Sequence, residues 1–289
     1  MKTINLIGGG RVGQTLGRLL TLAGQVTVQD LLTRSQASAE QALAFIGTGH
    51  AVRQMSDMRP ADLWLLAVPD AQIAPVATAL AACDHLPPAT VFHASGALSA
   101  DLLGPLQDKG WRVASAHCLL SFASPSLALQ QFAGTPCALE GDAQALAELR
   151  PLFTRLGAQC FEVRTQDKML YHAGAIFATN FLPVLQDLAE QLWQHSGMPA
   201  PLVQHLRATL LQNSVNNINN LGPQAALTGP AARGDVALVT AQGQAVQHWN
   251  PEAGQAYQAL SALAHRLAQR ECPIHQQMAP NKPMVRQVT

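Results

Sequence analysis

Apolar positions change period once along this chain. Through residue 164, short apolar runs alternate with amphipathic stretches; from residue 165 onward apolar residues recur at helical spacing. The chain opens with an apolar strand at 4–7, a glycine turn, and an amphipathic helix carrying Val12, Leu16, Leu19 and Leu20. Residues 25–32 alternate as a second strand, 35–46 form a helix, and a short strand lies near 51–54. Residues 62–68 are a continuous apolar run stopped by Pro69-Asp70, as a buried parallel strand reads, and Asp70 is placed to cap the next helix. Strands are also predicted from residue 90, over 111–116, 136–139 and 158–163, with a helix over 142–156. Such alternation builds a doubly wound sheet.

The pattern therefore predicts an α/β chain in two domains. A Rossmann-type doubly wound domain spans 1–164 and an all-α domain spans 165–289. In the second, a long helix covers 167–197 with a bend at Pro183. A helix over 199–220 ends in an Asn-rich stretch whose amides turn inward, and residues 227–235 form a Gly/Pro loop. Helices follow at 236–249 and 252–270, then a mobile tail over 279–289.

Composition narrows the function. Charged residues make up 12% of the chain, about half the usual share, so much surface is expected to be buried between domains or subunits. Residues 1–164 hold 11 Lys/Arg and 12 Asp/Glu, and 165–289 hold 7 and 6, so neither half carries a basic stripe for nucleic acid or a polybasic patch for a membrane. No apolar run is long enough for a membrane span, and no signal peptide opens the chain. Five scattered cysteines without a C-x-x-C pair fit a reducing cytoplasm. Cys272-x-x-His275 is half a metal site with no second half, so no metal is expected.

Gly8, Gly10 and Gly13 fit G-x-G-x-x-G between strand and helix, with Arg11 and Val12 inside the motif. The first glycine permits the tight turn, the second lets backbone approach a pyrophosphate, and the third lets helix lie against strand. The helix N-terminus adds unpaired N–H groups. Beyond the second strand stand Thr33, Arg34 and Ser35, a cation with two hydroxyls and no acid. That favours the 2′-phosphate of NADP over the ribose hydroxyl of NAD. The competing acid, Asp30, lies earlier, within the strand, and Val68 and Pro69 would meet the cofactor through backbone.

His93 and His117 each end a strand, where they face a nicotinamide or satisfy loop backbone groups. Lys168 and His172 are i, i+4 on the first long helix, flanked by Tyr171 and Asn180. These side chains can polarise a carbonyl oxygen and hand over its proton, or simply pack. Arg233 and Asp235 are an anion clamp with an acid/base, or a salt bridge between domains or subunits.

In this order, Gly8–Gly13, Val68-Pro69-Asp70, His93-Ala94-Ser95-Gly96, His117 with Ser121-Phe122, Lys168 with Tyr171-His172, Asn180-Phe181-Leu182 and Leu227-Thr228-Gly229-Pro230 with Arg233-Gly234-Asp235 resemble a family of predicted oxidoreductases. Its members pair a Rossmann-like domain with an all-helical domain of unknown function (number 2520), within the 6-phosphogluconate dehydrogenase and ketopantoate reductase superfamily. The resemblance covers roughly residues 3–270. It implies NAD(P) binding between the domains, a 6-phosphogluconate dehydrogenase-like helical domain and dimerisation through the helices. It also implies that Lys168 and Asn180 act on substrate, and that His93, Ser95 and His117 face the cleft from the sheet. Cys118 departs from the proline usual after the histidine. The expected function is an NADP-dependent oxidoreductase of a small polar carbonyl, hydroxy-acid or imine; the alternative is a non-catalytic NADP(H)-binding sensor dimer.

Overall fold

The computed structural model describes residues 1–270; Cys272, His275 and the segment 279–289 lie outside the described residues. The chain divides into two compact units, Met1–Leu182 and Pro183–Thr289.

The first unit alternates strand and helix: β1 (Lys2–Ile7), α1 (Arg11–Leu22), β2 (Val26–Leu32), α2 (Gln36–Ile46), β3 (His50–Val52), β4 (Leu63–Leu66), α3 (Asp70–Ala81), β5 (Thr90–His93), α4 (Gly104–Gln107), β6 (Arg112–Cys118), α5 (Pro125–Gln131), β7 (Pro136–Gly141), α6 (Ala143–Arg155) and β8 (Gln159–Glu162). The eight strands form one sheet in the order β3-β2-β1-β4-β5-β6-β7-β8. All neighbours are parallel except β6 and β7. Chain order reverses between β1 and β4, which opens a crevice beyond their C-terminal ends. The strands read as unbroken apolar runs because both faces are covered. Leu65 packs with Leu6, Leu16 and Phe92 on one face, while its neighbours Trp64 and Leu66 pack with Ile73, Leu80 and Val113 on the other. Each such side chain contributes about 1.5–3 kcal/mol on burial.

A helical stretch then begins with α7 (Lys168–Ala175), a five-residue π-turn (Ile176–Asn180) and α8 (Phe181–His195). The helix in which a bend was expected at Pro183 is irregular just upstream of that proline. Proline cannot bond to the carbonyl four residues back, here Thr179, and the widened π-turn sits on that carbonyl.

The second unit continues with α9 (Ala200–Ala226), α10 (Pro230–Arg233), α11 (Val236–Trp249) and α12 (Pro251–Ala268). The helix predicted over 199–220 does end just past its Asn-rich stretch, but the amides lie otherwise than expected. Asn213, Asn216, Asn217, Asn219 and Asn220 are exposed along α9, contrary to the inward amides expected. The break comes at Gly222 (φ 78°), since the following Pro223 excludes an α conformation before it. Leu202, Leu210, Val215, Ile218 and Leu221 are exposed on the same helix. No helix among the described residues is long and apolar enough to cross a membrane.

Candidate functional site

The turn after β1 is crowded on two sides and open on the third. A Cβ at Gly8 (φ 109°) would stand 2.2 Å from the Ala67 carbonyl oxygen, and one at Gly13 would stand 2.2 Å from the Gly8 oxygen. A Cβ at Gly10 would meet nothing within 4 Å. Gly10 is the N-cap of α1, without a side-chain cap and with no acid in the first turn, so that end keeps its positive dipole and donors for an anion. Arg11 is exposed and Val12 half-buried beside it. Thus the chain's own groups fit a nucleotide pyrophosphate here: a side chain at Gly10 would fill the open face.

At the end of β2, Thr33 donates to the Ser35 carbonyl (2.7 Å), and Ser35 caps α2 by accepting from the Ser38 N–H (3.2 Å). Both predicted hydroxyls therefore serve the turn. Arg34 is exposed and makes no hydrogen bond or ion pair among the described residues. The competing acid is spent elsewhere: Asp30 is buried, with its carboxylate on the Arg59 guanidinium (2.6 Å) and backbone N–H (2.8 Å). Sequence reading missed Arg53, which follows β3. Val52 pairs with Leu32, so Arg53 extends the register toward Thr33 and is exposed. Its only sequence signal is a cation just past a short edge strand.

Past β4, Gly8 abuts the backbone of Ala67 and Val68. The predicted Asp70 cap is corrected. Pro69 is the N-cap of α3, Asp70 is its first helical residue, and no side chain caps the end.

The ends of β5 and β6 meet α7. His93 is fully buried; its Nδ1 accepts from the Ser95 N–H (3.2 Å) and its Nε2 donates to the Ser99 carbonyl (3.1 Å). Both nitrogens thus hold its own loop, and burial pushes its pKa down. His117 is different. Its Nδ1 lies 2.8 Å from the Tyr171 hydroxyl, and its ring stands edge-on to His172 with centroids 5.6 Å apart. Gly96 permits this pairing, because a Cβ there would lie 2.5 Å from His172 and 2.7 Å from His117. Cys118 keeps β6 in register to its last residue, opposite Cys137, and so holds His117 on the strand.

Burial, then the charges of His172 and Lys168, push the His117 pKa from 6.5 down to about 4. The ring is neutral at physiological pH. With Tyr171 donating to Nδ1, the ring proton is assigned to Nε2, which has no hydrogen-bond partner among the described residues. Burial pushes the Tyr171 hydroxyl up, so it stays protonated. A stability consequence follows. Between pH 6.5 and 4 the unfolded ring takes up a proton that the folded ring refuses, so stability falls with falling pH, by about 3 kcal/mol at about 1.4 kcal/mol per pH unit. Urea unfolding across that range should show this slope, and His117→Gln should flatten it.

Lys168 shares a helix face with Tyr171 and His172, as its spacing requires, but its ammonium points inward. It is 1% exposed. Nζ donates to Ser115 Oγ (2.6 Å) and the Ser95 carbonyl (3.4 Å), with Glu140 Oε2 at 3.6 Å. Burial lowers its pKa, and Glu140 raises it back in part. Glu140 also accepts from Ser115, Thr165 and the Ala100 N–H. Sequence reading missed Ser115 and Glu140. Their signal was a lone acid in an apolar strand and a lone hydroxyl between two alanines.

Of the remaining predicted residues, one lies in the first unit and two in the second. Asn180 is exposed at the end of the π-turn and accepts from Thr179 (2.7 Å). In the second unit, Arg233 is exposed at the end of α10, and Asp235 caps α11 by accepting from the Leu238 N–H (3.2 Å). Arg233 and Asp235 form no ion pair with one another.

The chain is similar to known proteins in sequence family and in fold. Residues 2–118 match a Rossmann-like domain, and residues 135–264 match a domain of unknown function (DUF2520). No curated protein matches the chain. Among solved structures, protein TM1727 of Thermotoga maritima is 25% identical with a TM-score of 0.71, covering 92% of this chain and 98% of its own. Protein BF3122 of Bacteroides fragilis, described as a candidate NADP oxidoreductase, is 19% identical with a TM-score of 0.70 over 92% and 98%. A pyrroline carboxylate reductase of Plasmodium falciparum, solved with NADP bound, is 12% identical with a TM-score of 0.55 over 92% and 98%.

Proposed function

We propose, from the premise that the chain belongs to the family pairing a Rossmann-like domain with the domain of unknown function 2520, that it is an NADP-dependent oxidoreductase. Its substrate is a small polar carbonyl, hydroxy-acid or imine compound. The observation that carries this reading is the turn at Gly8–Gly13: crowded at both outer glycines, open at Gly10, and uncapped at the head of α1. The NADP described for the Bacteroides and Plasmodium proteins supports it at the level of fold.

NADP(H), when bound, supplies or accepts the hydride. The first-turn N–H groups of α1 and Arg11 hold the pyrophosphate, Arg34 and Arg53 hold the 2′-phosphate, and the backbone of Val68, Pro69 and Ser95 lines the crevice. His117 donates from Nε2 to the substrate oxygen or nitrogen, with Tyr171 fixing its tautomer. His172 positions the substrate. Lys168 gives the proton, which requires its ammonium to leave Ser115. His93 and Asn180 have no part in this reading, since their polar groups are engaged locally.

The exposed apolar residues of α9 support a homodimer formed through the helical unit. Sedimentation giving a monomer at micromolar concentration would contradict that.

One observation favours a non-catalytic NADP(H) sensor instead: the ammonium of Lys168 is almost wholly buried. Turnover separates the two readings. The test incubates the protein with NADPH and a panel of small keto acids, aldehydes and cyclic imines, and follows NADPH oxidation. At least one class should be reduced, and Lys168→Met should lower kcat by about 10²–10⁴-fold. NADPH bound but never oxidised across the panel would favour the sensor.

A further inference from the structure

A lysine that gives its proton to a substrate must be recharged, and Lys168 is almost wholly cut off from solvent. One hydrogen bond of its Nζ goes to the Ser95 carbonyl, beside the imidazole pair, and the other leads away from that pair. Nζ donates to Ser115 Oγ (2.6 Å), Ser115 Oγ donates to Glu140 Oε2 (2.8 Å), and Thr165 Oγ1 donates to Glu140 Oε1 (3.0 Å). Ser115 and Glu140 are buried, whereas Thr165, in the turn just before α7, is exposed. The four side chains make an unbroken file from the ammonium to the surface.

We propose that Thr165, Glu140 and Ser115 form a proton-return path that recharges Lys168 from solvent without passing His117 or His172. This rests on the reading of Lys168 as the group that gives the substrate its proton. After that transfer the neutral amine takes the Ser115 hydroxyl proton, and Ser115 is restored by a proton that the Glu140 carboxylate must first collect. Glu140 takes the Thr165 hydroxyl proton on Oε1, and Thr165 is made good by a water proton. A half-turn of the Glu140 carboxyl carries the proton from Oε1 to Oε2. The Ala100 N–H, at 3.3 and 3.0 Å from the two oxygens, supports it in either setting. Each group ends as it began, with one proton drawn from water.

The register explains why this path exists. Ser115 and Glu140 are direct partners across the antiparallel β6–β7 pair, so their side chains share one face with only a hydrogen bond between them. Other charged or titratable groups sense Lys168: Asp70 at the head of α3, His93 on β5 and His117 on β6. None of them hydrogen-bonds to Nζ among the described residues. A counter-ion alone would need Glu140, but it would not need Thr165.

The test uses nitrogen-15 NMR of the full chain to measure how fast the Lys168 Nζ protons exchange with solvent, in free protein and with saturating NADPH. Thr165→Val is near-isosteric and exposed, so it keeps the fold, and it should slow the exchange at least tenfold. Glu140→Gln should slow it too, and His117→Gln should not. Exchange in Thr165→Val at the wild-type rate would overturn the path and leave Glu140 a counter-ion. Exchange stopped by NADPH alone in wild type would also overturn it, since access would then be from the cofactor side. Failure of NADPH to bind would count against the oxidoreductase reading instead, and the Thr165→Val comparison in free protein would still decide the path.

Discussion

Glu140→Ala is expected to lower the free energy of unfolding by about 3–5 kcal/mol near neutral pH. The reason is a charge left alone. Lys168 and Glu140 are both buried, at 1% and 3% side-chain exposure. Removing the carboxylate strands an ammonium in a low-dielectric site and also orphans the Ala100 N–H, so the desolvation cost of both groups stands without compensation. The pH dependence identifies the cause. Burial already lowers the folded pKa of Lys168 below 10.5, and Glu140 is the largest force raising it back. Without Glu140 the folded value drops further. Between that value and the ordinary lysine range the unfolded chain binds more protons, so stability rises with pH. Urea unfolding of Glu140→Ala should therefore show partial recovery from pH 7 to 10, on a steeper slope than wild type. Adding Lys168→Met to Glu140→Ala should restore stability at pH 7. A single variant as stable as wild type would mean the pair is not enclosed as described.

Gly8→Ala carries the other large effect. Its φ of 109° is a conformation side chains avoid, and its Cβ would stand 2.2 Å from the Ala67 oxygen. Strained backbone costs about 1–3 kcal/mol and overpacking about as much again, so a loss of roughly 2–6 kcal/mol is expected in thermal or urea unfolding. The obstacle is backbone on both sides, which cannot turn aside as a flexible side chain would. The turn would have to move away from β4, and nucleotide binding should go with it. Gly10→Ala makes the informative contrast. A Cβ there meets no protein atom, so that variant should keep its stability and lose only affinity for the nucleotide.

What could be read from the sequence, and what could not, divides along the range of the interaction. The glycine turn and the Lys168, Tyr171, His172 face are local, set by dihedral freedom and by i, i+3 and i+4 spacing. The alternation of strands and helices was legible for the same reason. Ser115 and Glu140 come from different strands, and only the antiparallel register sets one opposite the other. The predicted strand also stopped at residue 139, short of Glu140, because an acid reads as a strand end when its buried partner is unseen. Periodicity placed His93 and His117 alike at strand ends. Which ring has a nitrogen to spare depends on the loop at Ser95 and Ser99 and on Tyr171 reaching in from α7. Pro183 announced an irregularity, but not its form, because proline's effect falls on the carbonyl four residues upstream, where the helix widens into a π-turn.

The central claim is that the turn at Gly8–Gly13 holds NADP(H). Titration calorimetry of the full chain with NADPH and, separately, with NADH tests it most directly, with Arg34→Ala and Gly10→Ala alongside. Saturable NADPH binding, weaker NADH binding, at least a tenfold loss of NADPH affinity in Arg34→Ala, and no binding in Gly10→Ala are expected. Heat of binding for neither nucleotide would contradict it, and the oxidoreductase and sensor readings would fall together.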